Sequence, residues 1–339
     1  AFSIVSAQTG GISVKVVDST GEPLPAATVT ITHPTGYVKE AATLTNAKGL
    51  AVFPVLRATG QSSVGYTLHI VFPGFAPMQL TDVKVSMGET TRQPVQLAEE
   101  IVERVKVVAT TDVVDLEKTS STTKFTDEFI QDLPVPGRFY QNVLTLAPGV
   151  QDADGDGNPN VHGSRNRDFK AEVGGVSNVD PLTGQRMNQV NPNSIEEIEV
   201  VTAGAGVEFS RAQGGFARIL QKQGSNEFEG QVDFIYRSSI FDGTGADNTD
   251  NVNEADFDWI QPGFQFSGPI VKDKLWYRLS HQWINRGIPV NTTQGITVVT
   301  DDEAIHADQI TWQISPRNKL ALQYQWGGRE IDNFGVSST

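Results

Sequence analysis

Three aspartates at alternate positions form the part of the sequence that looks most like a metal site. Asp152, Asp154 and Asp156 are followed by Asn158, and glycines separate the last three of these residues. Oxygen ligands at every second residue of a glycine-rich loop are typical of Ca²⁺ binding, and the run begins like an EF-hand loop. The twelfth position, which supplies a bidentate glutamate in that loop, is Gly163 here. The pattern predicts either a weak Ca²⁺ site or a solvated acidic turn.

The other chemically active residue types form no catalytic set. The sequence has five scattered histidines and no cysteine, and it contains no nucleophile–histidine–acid arrangement and no phosphate-binding loop. A formal net charge of -14 argues against nucleic acid as a partner. We therefore expect a protein that is not an enzyme, with Ca²⁺ as its one candidate cofactor.

Residues 227–339 alternate between apolar and polar side chains in five runs, which predicts five β-strands. One face carries Phe228, Val232, Phe234, Tyr236, Ile260, Phe264, Phe266, Leu275, Tyr277, Leu279, Trp283, Ile310, Trp312, Ile314, Leu320, Leu322, Tyr324 and Trp326. The other carries Gln231, Gln261, Gln265, Arg278, Ser280, Gln282, Gln309, Thr311, Gln323 and Gln325.

The connections between these runs indicate which kind of sheet they form. Short turns at 269–274 and 316–318 alternate with long connections at 238–258 and 286–304. A soluble sandwich would also alternate, but this order of short and long connections favours an outer-membrane barrel. Five strands cannot close a plugged barrel, which takes about 22, so we expect the chain to be the N-terminal part of a larger protein.

Residues 10–98 show a different β pattern. Short runs at 12–17, 28–32, 50–55, 66–72 and 82–85 lie between Gly, Pro, Asp and Asn turns, which predicts a small antiparallel sandwich. Residues 1–9 are either an N-terminal tail or the remnant of a signal peptide cleaved after Ala7.

Residues 99–226 mix strand and helix signals. A β-prone run occupies 101–109, and Thr126 is placed to cap a helix over 127–133. A second helix is expected at 138–147. Ser194 and Glu197 have the spacing of a capping box for a short helical turn at 195–198.

Several segments carry a family resemblance. The order of residues 209–230, a glycine pair, a β-type run, a Gly-Ser-Asn turn and an alternating strand, resembles the passage from plug to barrel in TonB-dependent outer-membrane receptors. Residues 133–138, 146–150 and 196–202 resemble the plug of these receptors, and residues 11–53 and 66–75 are similar to carboxypeptidase regulatory-like domains. Together they resemble the Oar-like type of receptor. The chain departs from the family at His162-Gly163, where Arg-Gly is usual, and at Gly174-Gly175, where Asp-Gly is usual.

The resemblance implies a mainly β protein with a transthyretin-like sandwich (10–98), an α+β plug domain (99–226) and the first strands of an antiparallel outer-membrane barrel (227–339). It implies a place in the outer membrane of a Gram-negative-type bacterium with the N-terminal domain in the periplasm. An unknown external ligand would be imported with energy from TonB and its inner-membrane energising complex. The alternative is a surface protein for adhesion or assembly with the same architecture and no active transport.

The resemblance also assigns candidate site residues. The run 101–109 is the expected TonB box, with Ile101, Val102, Val105, Val107 and Val108 as its apolar residues; the alternative is an ordinary first plug strand. Four plug residues near the outer mouth are candidate ligand contacts: His162, Arg165, Asn166 and Arg167. Arg165 and Arg167 are equally placed to pair with carboxylates of the plug or barrel.

Overall fold

The chain folds into three β-rich units. The computed structural model describes residues 3–4, 8–36, 38, 40–60, 63–99, 105–108, 120–133, 139–152, 158–204, 214–241, 257–292, 295–315 and 318–332. No helix within these ranges is long and apolar enough to cross a membrane.

The first unit is a two-sheet sandwich, as its alternating runs predict. One sheet has the order β5-β2-β8, and the other has the order β4-β3-β6-β7-β9. Its strands are β2 (Thr9–Val17), β3 (Thr28–Thr32), β4 (Ala41–Leu44), β5 (Leu50–Arg57), β6 (Tyr66–Val71), β7 (Met78–Val83), β8 (Thr90–Gln96) and β9 (Val105–Val108). The alternate residues Ile12, Val14 and Val16 of β2 are fully buried in the core between the sheets.

Three features of the sandwich differ from expectation. The strand expected at 82–85 is instead β7, which ends one residue after Asp82, whose φ of 64° is unfavourable for continued extension. The polar strand β8 and the short β4 lack a clear apolar signal. The sandwich is also not purely antiparallel, because β2 pairs with β8, and β7 with β9, in parallel.

The second unit is a five-stranded sheet with short helices on it. The sheet order is β10-β15-β16-β13-β14, and β11 and β12 form a separate hairpin. The elements are β10 (Ser121–Thr126), α1 (Asp127–Asp132), α2 (Tyr140–Leu144), β11 (Val150–Gln151), β12 (Asn160–Val161), β13 (Phe169–Val173), β14 (Val176–Ser177), β15 (Ile195–Ala203) and β16 (Gly215–Gln221). The Thr126 hydroxyl accepts from the Phe129 amide at 3.3 Å, which confirms the predicted cap.

The helical turn expected at 195–198 is wrong. These residues begin β15, which pairs with β10 on one side and β16 on the other. Ile198 is paired on both sides and Ile195 with β16, and both are fully buried, which outweighs the local capping signal. The Ser194 hydroxyl donates to the Asn191 carbonyl at 2.7 Å in the 3₁₀ turn Pro192–Ser194 that precedes the strand.

The third unit is an open antiparallel sheet. Its strands are β17 (Glu229–Ser238), β18 (Asp258–Val271), β19 (Leu275–Thr292), β20 (Gly295–Ser315) and β21 (Asn318–Asp332), paired in chain order. A two-residue strand, β1 (Ser3–Ile4), pairs with β21 at its other edge. The prediction of a long connection at 286–304 is wrong for most of these residues, which form strand instead. β19 and β20 stay paired with each other as far as Thr292 and Gly295.

The two faces of this sheet have the polarity of a membrane protein. Phe234 and Leu279 on the apolar face are 66% and 40% exposed, whereas Arg278 and Gln282 on the polar face are 0% and 1% exposed. A soluble sandwich would bury the apolar face instead. The predicted faces of β17–β21 are therefore confirmed, and the polar face is the inner one.

Three ionisable residues interrupt the outer apolar face. His281 Nε2 lies 2.9 Å from a carboxylate oxygen of Asp308, and the two Nδ1 atoms of His281 and His306 lie 2.7 Å apart. The rings of Trp283 and Trp326 pack on this group. Mutual hydrogen bonding reduces the cost of holding these groups on a face that is otherwise apolar.

Candidate functional site

The polar face of the open sheet packs against the second unit. The guanidinium of Arg278 donates to the carbonyl of Lys222 at 3.1 Å, just after the last strand of that unit. The amide of Asn191 donates to the carbonyls of Phe264 and His281, at 3.3 Å each. Hydrogen bonds, together with a small apolar cluster of Phe139, Ile284 and Ile305, thus hold the second unit against the polar wall.

A charged cluster lies in β19–β21, toward the end of these strands that is opposite the short turns. Asp301 is almost fully buried and accepts hydrogen bonds from Arg286 on β19 and Arg329 on β21, at 2.7 Å from each Nε. The second unit contributes Arg186, and burial lowers the pKa of its guanidinium while the charge of the largely buried Glu303 opposes that shift. Three arginines and two carboxylates therefore lie near one another between the second unit and the wall.

The acidic run 152–158 is only partly within the described residues. Asp154 and Asp156 lie outside them. Asn158 is buried, and its side-chain oxygen accepts from the Arg186 amide at 2.9 Å, so it supports the segment that carries Arg186. Among the residues described by the structure, no three His, Asp or Glu side chains form a metal-binding group. A Ca²⁺ site involving Asp152 remains a prediction.

The four candidate ligand contacts lie close together in the second unit. His162 is exposed and has a φ of 50°, directly after β12. Arg165 pairs with Asp168 through two bonds of 2.9 Å, and this contact lowers the pKa of the Asp168 carboxyl. Arg165 thus follows the ion-pair alternative. Asn166 is half-buried and Arg167 exposed in the 3₁₀ turn Asn166–Asp168.

The expected TonB box is described only at residues 105–108. These residues form β9, which lies parallel to β7 at the edge of the sandwich and pairs Met78 with Val105 and Leu80 with Val107. Ile101 and Val102 lie outside the described residues. The segment is therefore not free in this structure, and it does not belong to the sheet of the second unit.

A buried ion pair joins the sandwich to the second unit. Arg57 at the end of β5 and Glu196 in β15 have side chains 4% and 7% exposed, and their nearest charged atoms are 3.6 Å apart. Glu196 also accepts from the amide of Gly60 at 2.9 Å and from the hydroxyl of Ser63. Arg57 donates to the carbonyl of Gly224 at 3.3 Å. One carboxylate of the second unit therefore contacts Arg57, Gly60 and Ser63 of the sandwich.

Two further cations extend this contact. Lys124 on β10 donates to the Ser86 hydroxyl at 2.9 Å and lies 3.3 Å from Glu197. Arg218 on β16 donates to the Met87 carbonyl at 2.8 Å. Gly88 has a φ of 72°, and a Cβ at this position would come within 2.9 Å of the Arg218 guanidinium, so glycine permits the close approach.

Sequence reasoning did not identify these interface residues as functional. Glu196 and Glu197 stand in a segment recognised as plug-like, but nothing local indicates that their partners come from the sandwich. Arg186, Arg286 and Arg329 are separated by up to 143 positions in the chain. The one signal in the sequence is a charged side chain at a position where a strand would be expected to bury an apolar one, as at Arg57.

Two parts of the chain match models of known protein families. Residues 11–98 match the family model of a carboxypeptidase regulatory-like domain, and residues 115–216 match that of a TonB-dependent receptor plug domain. The second unit therefore matches a plug domain, and the chain combines this match with a carboxypeptidase regulatory-like domain. This confirms the resemblance given by the sequence.

Two individual proteins are similar to this chain in sequence. The TonB-dependent transporter Oar of Myxococcus xanthus is 28% identical over 297 residues, which is 81% of this chain and 27% of that protein. A probable TonB-dependent siderophore receptor, PirA of Acinetobacter baumannii, is 28% identical over 142 residues, 40% of this chain and 17% of that protein. The chain thus spans about a quarter of the length of the Oar transporter.

The fold also matches a solved structure. The outer membrane transporter YddB of Escherichia coli superposes with a TM-score of 0.52 at 16% sequence identity, covering 62% of this chain and 33% of that one. At this identity the similarity concerns the fold alone. It agrees with a plug seated against the strands of an incomplete barrel sheet.

Proposed function

We propose that this chain is part of an outer-membrane receptor that binds an external ligand and imports it with energy from TonB. The observation that carries the proposal is the inverted polarity of β17–β21, whose apolar side chains face outward while Arg278, Ser280 and Gln282 are buried against the plug. Such strands fit a lipid bilayer outside and a polar interior that a plug can fill.

The short turns of the sheet support an orientation in the membrane. The sandwich touches the short-turn end of the open sheet, where the Asn226 amide donates to the Thr35 carbonyl at 3.1 Å and the Asn226 side chain donates to Asp273 at 2.7 Å. Short turns of outer-membrane barrels lie on the periplasmic side. We infer that the sandwich is periplasmic and that the cluster of Arg186, Arg286 and Arg329 faces the exterior.

The ligand would then contact the plug from outside. His162, Asn166 and Arg167 are retained as candidate contacts, and the charged cluster around Asp301 is added to them. Ca²⁺ binding by the 152–158 run is a separate proposal, tested by calorimetric titration of the protein and an Asp154→Ala, Asp156→Ala variant; identical traces would remove it.

A second candidate function is adhesion or assembly without transport. It is favoured by the pairing of Val105–Val108 with β7, because this pairing already occupies one side of the strand. The two candidates differ in whether TonB binds at all.

The test is capture of the full-length protein by the periplasmic domain of TonB. Strand addition depends on main-chain hydrogen bonds, so Val107→Pro should weaken binding at least about tenfold, whereas Val107→Ala, which keeps its N–H, should bind nearly as well as the original. Equal binding by the proline and alanine variants would place the box elsewhere. Absence of TonB binding in every variant would favour the second candidate.

A further inference from the structure

β9 belongs to neither of the two matched domains. The carboxypeptidase regulatory-like domain ends at residue 98 and the plug domain begins at residue 115, whereas β9 spans Val105–Val108. It nevertheless extends the sandwich sheet as a fifth strand, in parallel to β7, while β3–β4, β3–β6 and β6–β7 pair antiparallel. The strand is therefore an addition to the sandwich, made by the chain that leads to the plug.

The path of the chain favours this addition. After β8, the carbonyl of Ala98 accepts from the Ala76 amide at 2.9 Å, and Glu99 forms a bridge with Phe75. The chain thus passes beside the residues just before β7 and reaches β9 at Val105, six residues after Glu99. A tether this short gives β9 an effective concentration at the β7 edge in the millimolar range.

Docking leaves one side of β9 available. A strand directs its main-chain groups alternately to two sides, and the side toward β7 is already paired. In the part of the chain that the structure describes, β9 is the last strand of the order β4-β3-β6-β7-β9, so its other side has no neighbouring strand. An edge strand of this kind accepts a further strand through main-chain hydrogen bonds.

We propose that the sandwich presents the TonB box, and that TonB adds a strand to the outer edge of β9 while β9 stays on β7. This rests on the proposed function, because it takes TonB as the partner of residues 105–108. Docking on β7 holds residues 105–108 in an extended conformation before TonB binds. The conformational entropy lost on ordering these residues therefore does not reduce the affinity for TonB.

A reversible disulfide between β7 and β9 tests the proposal. The chain has no cysteine, so Gln79→Cys with Lys106→Cys introduces a single pair at register partners of β7 and β9. The control is Ala42→Cys with Lys106→Cys, because Ala42 lies in β4 at the far edge of the sheet, about 19 Å away for four strand spacings. That separation is beyond the reach of a disulfide. Both full-length variants are captured with the periplasmic domain of TonB under oxidising and reducing conditions.

We expect the 79/106 pair to form a disulfide and the 42/106 pair not to form one. The oxidised 79/106 protein should bind TonB at least as tightly as its reduced form. A locked protein that loses binding tenfold or more, with binding restored by reduction, would show that the segment must leave β7 and would overturn the inference while leaving TonB coupling intact. Failure of the 79/106 disulfide to form, with TonB binding retained, would also overturn it. No binding in either state or in the unmodified protein would defeat the proposed function itself.

Discussion

His33 is a buried histidine whose hydrogen bonds fix its protonation state. Its Nε2 donates to the Val64 carbonyl at 2.9 Å, and its Nδ1 accepts from the hydroxyl of Thr35 at 2.9 Å. A neutral ring with its proton on Nε2 satisfies both bonds. Burial is the main reason that the pKa of His33 falls to about 4, and the positive charges of Arg57 and Lys84 add to the effect.

The sandwich should therefore lose stability on acidification. The unfolded chain takes up a proton at His33 near pH 6.5, whereas the folded one does so near pH 4. Stability is thus fully present above about pH 6.5 and falls as the pH drops through this window, by up to about 3 kcal/mol. The measurement is hydrogen-exchange protection of the β2 amides at pH 7 and pH 4.5, corrected for intrinsic rates.

A matched pair of variants checks the cause. His33→Gln should lower protection at pH 7 but flatten the dependence on pH. His69→Gln, at an exposed position of β6, should keep the original dependence. A His33→Gln protein with an unchanged pH slope would mean that another group titrates.

At the scale of the strand, the faces of β17–β21 allow a direct comparison of two substitutions. Leu279→Lys places a charge on the apolar face and should cost about 2–4 kcal/mol if the site is near the bilayer midplane. Gln231→Lys lies on the other face, where it loses only the 3.2 Å bond to Gln131, worth about 1 kcal/mol. The measurement is the fraction of full-length protein recovered in folded, protease-resistant form from the outer membrane. Similar recovery of both variants would contradict the assignment of the faces.

How much of an element the sequence predicts depends on where its stabilising partners lie. The faces of β17–β21 were predictable because the alternation of apolar and polar side chains can be read from consecutive residues. The extension of β20 was not, because Asp301, Asp302 and Glu303 look like loop residues. Asp301 is accommodated in the strand by Arg286 and Arg329 from its two neighbours, and neither is near it in sequence. The same holds for β15, whose partners β10 and β16 overrode a local helical signal.

The candidate site was predictable to a smaller degree. The sequence indicated a β-prone segment at 101–109 but not that β7 would hold residues 105–108. It offered an ion pair for Arg165, which was found with Asp168. It gave no indication of the Arg57–Glu196 contact, because this contact requires the relative placement of two domains.

For the whole molecule, that contact predicts how the sandwich and plug hold together. Arg57→Met leaves the buried carboxylate of Glu196 without its cation and should weaken docking by about 3–5 kcal/mol. Adding Glu196→Gln removes the uncompensated charge and should recover part of the loss. The measurement is the rate of proteolytic separation of the sandwich from the plug in the full chain.

The control is Lys48→Met, a substitution of an exposed cation in the sandwich turn between β4 and β5. It should leave the separation rate unchanged. If the double variant separates faster than Arg57→Met alone, the two residues stabilise the interface independently.

The order of strands in the plug has a mechanical consequence. β10 is the first plug strand in the chain and lies at one edge of the sheet, whereas β16 continues within eight residues into β17 of the wall. Ser121 lies at the Ala203 end of the sheet, whereas Gln221, which leads to the wall, lies at the opposite end beside Ile195. A pull between residue 120 and the wall therefore acts along the strands and loads the β10–β15 hydrogen bonds together, in shear. Stretching single molecules from residue 120 should then show β10 leaving in one step at high force while β16 keeps the rest of the plug anchored to the wall.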